Sequence, residues 1–221
     1  MQDSTPQPAP RHQRILEHYA PRVVPGRDSF DILDWGSKQE QLLRFAVLVD
    51  LLHREEDRGH SWPGDASLLD VGCGLADLRD YLRDPLPGVR YTGVDITPQI
   101  LREARRRQPA ARLVLGDIFG AEPFHPRCFD VVFCSGVFNL DLGNNTAFLS
   151  HALPMLLSLS RRCLAVNFLH ERAPVKYRHC CYFSPGEIAD IVRSEGADVE
   201  IVDHYLEKDF TLFARQRSGG A

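Results

Sequence analysis

The chain has 221 residues, 43% hydrophobic and 25% charged, the balance of one soluble α/β domain with an N-terminal elaboration. Its formal net charge of -4 supplies no global basic field to attract nucleic acid. No apolar run approaches the roughly 20 residues of a membrane helix.

Residues 1–10 are polar and proline-rich, lack a signal-peptide core, and are expected to be disordered. Residues 11–60 are expected to be a helical segment, either a lid or a flank to the main domain. Within it, Ser37-Lys38-Gln39-Glu40 reads as a capping box, and Leu42, Phe45, Ala46, Val49 and Leu52 as the apolar face of the helix that follows. The main domain is expected over residues 61–217. Five apolar runs predict strands at Leu68–Val71, Tyr91–Asp95, Arg112–Asp117, Phe129–Ser135 and Cys163–Leu169. Continuous runs without strict alternation suit a parallel sheet covered on both faces. Between them, Thr97-Pro98 predicts a helix start, with Arg105-Arg106-Arg107 as a cationic last turn that complements the helix dipole. Ser184-Pro185-Gly186-Glu187 reads as a second capping box, opening a helix that ends near Gly196. Val199–Leu206 and Phe210–Arg215 are strand-like with a link too short for a parallel crossover, so that pair is expected to be antiparallel.

The six cysteines form no Cys-x-x-Cys pair, and several fall in predicted strands, where free cysteine packs as a small apolar residue. This reads as a reducing, cytoplasmic protein. His179-Cys180-Cys181 has no second pair at zinc spacing, so no metal is expected.

The most specific stretch is Ser67 to Leu78: an apolar strand, Asp70, then Gly72-Cys73-Gly74, then a helix start. The glycines let the backbone approach a ligand closely. A dinucleotide turn needs a third glycine where Asp77 stands, and a carboxylate there disfavours a pyrophosphate. Asp70, at the end of a buried strand, needs a cationic or hydrogen-bonding partner. A ligand with an ammonium group and no phosphate, such as S-adenosylmethionine, suits both acids. Asp95 ends the second strand at a spacing from the first glycine that suits a ribose acid, or is a turn residue before Thr97.

The segment resembles motif I of the class I S-adenosylmethionine-dependent methyltransferases, an acidic residue followed by Gly-x-Gly-x-Gly, with Asp70, Gly72 and Gly74 matching and Ala76 in place of the last glycine. The resemblance spans roughly Ser67 to Arg215. It implies a seven-stranded, mostly parallel sheet with a C-terminal antiparallel hairpin and helices on both faces, and S-adenosylmethionine as cofactor. It also implies that Ile96 flanks the adenine ring. Asp117 and Ile118 inherit contacts to the adenine amino group and a ring nitrogen, and Ser135 and Gly136 lie beside the sulfonium.

For methyl transfer the protein aligns nucleophile, methyl and sulfur, and excludes water. Where many small-molecule methyltransferases carry a histidine or acid after the fourth strand, this chain has neutral Asn139, which positions an acceptor or is a loop residue. Tyr19, Phe138 and Tyr177 are the aromatic candidates for facing the sulfonium, or are packing residues. His170 is a base or a surface histidine. The segments around His18-Tyr19 and Trp35, and from His170 to Phe183, are expected to close the pocket. Three functions follow: a methyltransferase acting on a small molecule, with no nucleic-acid or membrane partner; a cyclase that folds S-adenosylmethionine onto itself, as azetidine-2-carboxylate synthases do; and a cofactor-binding protein without turnover.

Overall fold

The computed structural model describes residues 10–59, 65–120 and 124–217. The expected disorder of residues 1–10 therefore lies outside the described residues, apart from Pro10. Seven strands form one sheet: β1 (Ser67–Val71), β2 (Arg90–Asp95), β3 (Arg112–Leu115), β4 (Phe129–Ser135), β5 (Ser160–Leu169), β6 (Asp198–Val202) and β7 (Asp209–Arg215). Their order is β3-β2-β1-β4-β5-β7-β6. Pairings from β3 through β5 are parallel, and β7 runs antiparallel to both β5 and β6. The chain leaves β1 for β2 and β3 on one side, then returns to β4 on the other. That reversal places a crevice beyond the carboxyl ends of β1 and β4.

Two strands stop earlier than expected, and β5 begins at Ser160, three residues before Cys163. β3 stops at Leu115, which leaves Gly116 and Asp117 in the loop beyond it. β6 stops at Val202 and does not reach Leu206. The reason is Tyr205, whose hydroxyl accepts from Asn167 Nδ2 at 2.7 Å and meets Thr211 Oγ1 at 2.9 Å, pulling the link inward over β7.

Side chains alternate across the sheet and feed two cores. Leu69, Val71, Val132, Leu164 and Leu212 face α6 (Asn145–Leu159) and α7 (Pro185–Ser194). Leu68, Val131, Phe133, Ala165 and Phe213 face α3 (Lys38–Asp57), α4 (Asp77–Tyr81) and α5 (Pro98–Arg107). Two shorter helices, α1 (Arg11–Tyr19) and α2 (Ser29–Ile32), precede them.

Of the expected apolar face of α3, Phe45, Val49 and Leu52 are buried and Ala46 is half-buried. Leu42 is exposed, and Gln41, Arg44 and Glu55 are buried among Phe45, Leu48, Leu51 and Leu52. The polar members are buried because they have partners: Arg44 forms an ion pair with Asp209, and Glu55 Oε1 accepts from Arg215 at 2.7 Å. The start of α3 is half a capping box. Ser37 Oγ accepts from the Glu40 N–H at 3.2 Å, while the Glu40 carboxylate takes Lys208 Nζ at 2.7 Å. Thr97 and Ser184 make no side-chain cap bond to α5 and α7. The N–H of Thr97 itself donates to the Asp95 carboxylate at 2.8 Å.

Phe138 is 1% exposed and belongs to the α6 side of the core. Its ring stacks on Phe168 at 5.5 Å and meets Phe148 at 5.8 Å and Phe119 at 5.9 Å. The aromatic expected beside a sulfonium is thus a packing residue. Phe138→Ala is expected to cost about 3–5 kcal/mol in urea unfolding. A loss under about 1 kcal/mol would show the ring is not part of this core.

Candidate functional site

A cavity of about 390 Å³ lies beyond the carboxyl ends of β1 to β4. Its floor is built by the loop that leaves each strand. After β1 the chain turns so sharply that the N–H groups of Gly72 and Cys73 both reach the Val94 carbonyl, at 2.8 and 3.1 Å. Gly72 and Gly74 take φ of 68° and 56°, open to glycine without cost. Ala76, at the third glycine position of the motif, also has a positive φ, 63°. Besides allowing close packing, that position demands a left-handed backbone, which costs alanine about 1–2 kcal/mol. Asp77 follows and turns its carboxylate away from the floor, accepting from Gln41 Nε2 at 3.0 Å and from Ser29.

Asp95 and Ile96 line the cavity after β2, Asp117 and Ile118 after β3, and Ser135 and Asn139 after β4. Asp95 is held from two sides: Oδ2 accepts from the Gly74 N–H at 3.1 Å and Oδ1 from Thr97. Burial pushes its pKa up, and these two N–H groups oppose the shift. Asp117 Oδ1 accepts from the Phe119 N–H at 3.1 Å, and its other oxygen pairs with Arg11 of α1. Ser135 Oγ reaches Asn167 Oδ1 at 3.4 Å.

The sequence-predicted set divides. Gly72, Asp95, Ile96, Asp117, Ile118, Ser135, Asn139, Tyr19 and Tyr177 line the cavity; Asp70, Cys73, Gly74 and Phe138 do not. Asp70 shares a strand face with Leu68, so its carboxyl points under the turn, where Tyr91 donates its hydroxyl at 2.7 Å. Burial pushes its pKa up to about 7. The Cys73 side chain packs on Gly93, and a Cβ there would lie 2.7 Å from its sulfur. His170 is also outside the cavity: its Nδ1 accepts from the Arg172 N–H at 3.2 Å, its ring lies edge-on to Phe210, and burial lowers its pKa.

The cavity is covered by α1, by the Leu33–Gly36 segment and by the loop between β5 and α7, including Val175, Tyr177, His179 and Tyr182. The covers meet at Asp34. Its Oδ2 lies 3.0 Å from His18 Nε2 and 3.4 Å from His179 Nε2, and the two imidazoles stack at 5.6 Å. The His18 bond holds the Asp34 pKa below the usual carboxylate range. Tyr19 is edge-on to His18 at 4.7 Å, and burial pushes its phenol pKa up.

Sequence reasoning missed Asp34, Arg11 and Arg44 as cavity residues. No local signal marks Asp34, because its partner His179 is far along the chain. Arg44 was findable: a cation inside the apolar period of α3 needs either a rotated face or a buried partner.

A family model described as a methyltransferase domain matches residues 69–157. A protein of Mycobacterium tuberculosis with a provisional methyltransferase assignment is 30% identical over 159 residues, 69% of this chain and 94% of its own. The bovine (Bos taurus) 18S rRNA (guanine-N(7))-methyltransferase is 41% identical over 63 residues, and that match spans 28% of this chain and only 22% of the relative's length. The malonyl-[acyl-carrier protein] O-methyltransferase of Serratia marcescens is 39% identical over 90 residues, 41% of this chain and 34% of that one. Among solved structures, magnesium protoporphyrin IX methyltransferase from Synechocystis with bound SAH superposes with a TM-score of 0.65 at 15% identity, covering 93% of this chain and 99% of that one.

The raised Asp70 pKa makes a stability prediction. Between about pH 4 and 7 the folded carboxyl keeps a proton that the unfolded chain has lost, so its contribution to stability falls as pH rises and levels off above 7. Asp70→Asn still accepts the Tyr91 bond and removes this dependence. Its stability relative to the parent is expected to rise by roughly 2–3 kcal/mol from pH 5 to pH 8 in urea unfolding. Parallel profiles for the two proteins would refute the assignment.

Proposed function

This chain belongs to the class I S-adenosylmethionine-dependent methyltransferases, and we propose that it methylates a small molecule held inside the covered cavity. S-Adenosylmethionine is the cofactor and supplies an electrophilic methyl group on a sulfonium. The observation that carries the small-molecule reading is the roof: α1, the Leu33–Gly36 segment and the β5–α7 loop all line the cavity, so the acceptor's reacting atom sits beneath them. Malonyl-[acyl-carrier protein] and magnesium protoporphyrin IX, in the names of the Serratia relative and the Synechocystis structure, are in line with a small reacting group entering the cavity. Among the described residues no helix is long and apolar enough to cross a membrane.

The residues fit the cofactor. A Cβ on Gly116 would meet nothing within 4 Å, so the floor between Asp95 and Asp117 is open. Asp95, already fixed by two backbone N–H groups, presents a carboxylate for the ribose hydroxyls. Ile96 and Ile118 offer apolar faces to the adenine, and Asp117 an acceptor for its amino group, with Arg11 of α1 closing over that end. Gly72 and Ser135 flank the amino-acid end. Tyr19 and Tyr177 present ring faces that stabilise a nearby cation by ~0.5–2 kcal/mol each. Asn139 Oδ1 is buried without a hydrogen-bond partner and lines the cavity, free to accept from an O–H or N–H of a bound molecule. His179 Nε2 lies 3.4 Å from Asp34 Oδ2, and the same oxygen accepts from His18 Nε2, which leaves Nδ1 as the acceptor atom of that ring. An acceptor that starts protonated loses its proton there.

Incubation with S-adenosylmethionine, with and without a panel of small carboxylic acids, phenols and amines, tests the reaction. S-Adenosylhomocysteine is expected only when an acceptor is present. Methylthioadenosine with a cyclic amino acid from the cofactor alone would indicate cyclisation instead, and no product under any condition would leave a binding role. Separately, Asp95→Ala is expected to weaken S-adenosylhomocysteine binding by about 1–3 kcal/mol. An unchanged dissociation constant in calorimetry, with the fold intact by circular dichroism, would remove the ribose assignment.

A further inference from the structure

We propose that Arg44, with Trp35, forms a buried carboxylate receptor in the wall of this cavity. The proposal rests on the cofactor-site reading above and adds the group that fixes one end of a bound molecule. Arg44 is 2% exposed, and its Nη2 pairs with Asp209, which is fully buried. Its Nε and Nη1 have no hydrogen-bond partner. The Trp35 ring lies 4.3 Å from the guanidinium carbon, covers it, and leaves its own Nε1–H equally without a partner. Both residues line the cavity. Buried donors of this kind are nearly always satisfied, by protein, water or ligand.

Asp209, whose two oxygens also lack a hydrogen bond, does not line the cavity; the free groups that Arg44 and Trp35 bring to it are three donors, so their complement is an anion with acceptor oxygens. The surrounding charge selects its valence. Arg44 is balanced by Asp209 and Lys208 by Glu40, so this end of the cavity is close to neutral before a ligand arrives. That favours a single carboxylate over a doubly charged phosphate. An acceptor atom stands on the turn beneath Trp35. The Asn139 N–H bonds the Gly136 carbonyl at 3.2 Å, and a Cβ on Gly136 would lie 2.4 Å from the Trp35 ring. The unpartnered Asn139 Oδ1 therefore belongs to the turn on which Trp35 packs. Donors for a carboxylate together with an acceptor for an ammonium match the end of an α-amino acid. The carboxylate has two sources: the amino-acid end of the cofactor, or an acid group on the methyl acceptor.

The test pairs Arg44→Gln with Asp209→Asn, so that neither charge is left buried alone. Calorimetry with S-adenosylhomocysteine is compared with 5′-methylthioadenosine, which carries the nucleoside and thioether but no carboxylate. At least about tenfold weaker S-adenosylhomocysteine binding, with 5′-methylthioadenosine changed less than about threefold, is the expected result and assigns the cofactor as the source. Unchanged S-adenosylhomocysteine binding, with succinate raising the Tm of the loaded parent but not of the loaded variant, supports the receptor and assigns the acceptor. Equal loss for both nucleosides, or no change in either nucleoside or in the succinate response, overturns the proposal. Trp35→Phe keeps the ring and removes one donor. It is expected to weaken binding of the same carboxylate about three- to tenfold, and it carries the test if the double variant does not fold. Parent protein that binds neither nucleoside would overturn the cofactor-site reading itself, and the receptor with it.

Discussion

Two positions without a side chain set the shape of the site. A Cβ on Gly74 would lie 2.7 Å from the Leu33 side chain, and one on Gly136 would lie 2.4 Å from the Trp35 ring. Both glycines also have positive φ, 56° and 78°. Because neither carries a side chain, the Leu33–Trp35 segment rests directly on the ends of β1 and β4. The N-terminal part of the chain thereby roofs the crevice that the parallel sheet creates. Asp77 ties the same segment from the side through Gln41 and Ser29. The carboxylate that argues against a pyrophosphate in this turn is thus an anchor between the turn and the N-terminal helices.

The three acids near adjacent strand ends have three different environments. Asp70 faces the α3 core, meets a tyrosine hydroxyl, and is pushed toward its neutral form. Asp95 is buried as deeply but is cradled by two backbone N–H groups at the edge of the cavity. Asp117 sits beyond the end of β3, partly exposed, under the guanidinium of Arg11. Residue type and spacing are alike in all three. Position relative to the strand end separates them: Asp70 lies one residue inside β1, Asp95 is the last residue of β2, and Asp117 lies two residues beyond β3.

The sheet was legible because parallel strands buried on both faces read as continuous apolar runs. The two antiparallel partners of that sheet were legible because six residues between Val202 and Asp209 cannot make a crossover. The helix caps were less so: Thr97 and Ser184 have the right residue type but no cap bond, and at Thr97 the Asp95 carboxylate engages both the residue's own N–H and its side chain. The apolar face of α3 was legible at Phe45, Val49 and Leu52, but an apolar pattern cannot register a buried arginine whose partner, Asp209, begins a strand at the other end of the chain.

Sequence alone determined the fold class and the cofactor. Both depend on local features: the period of the apolar runs, a glycine turn that closes within a few residues, and acids set at strand ends. The tertiary structure decided the working surface. The pairing of Arg44 with Asp209, the meeting of His18 and His179 on Asp34, and the removal of Phe138 into the core all join residues distant in sequence. Such contacts follow from how helices and loops pack on the sheet, where burial and charge compensation are settled between segments and leave no periodic trace in either one.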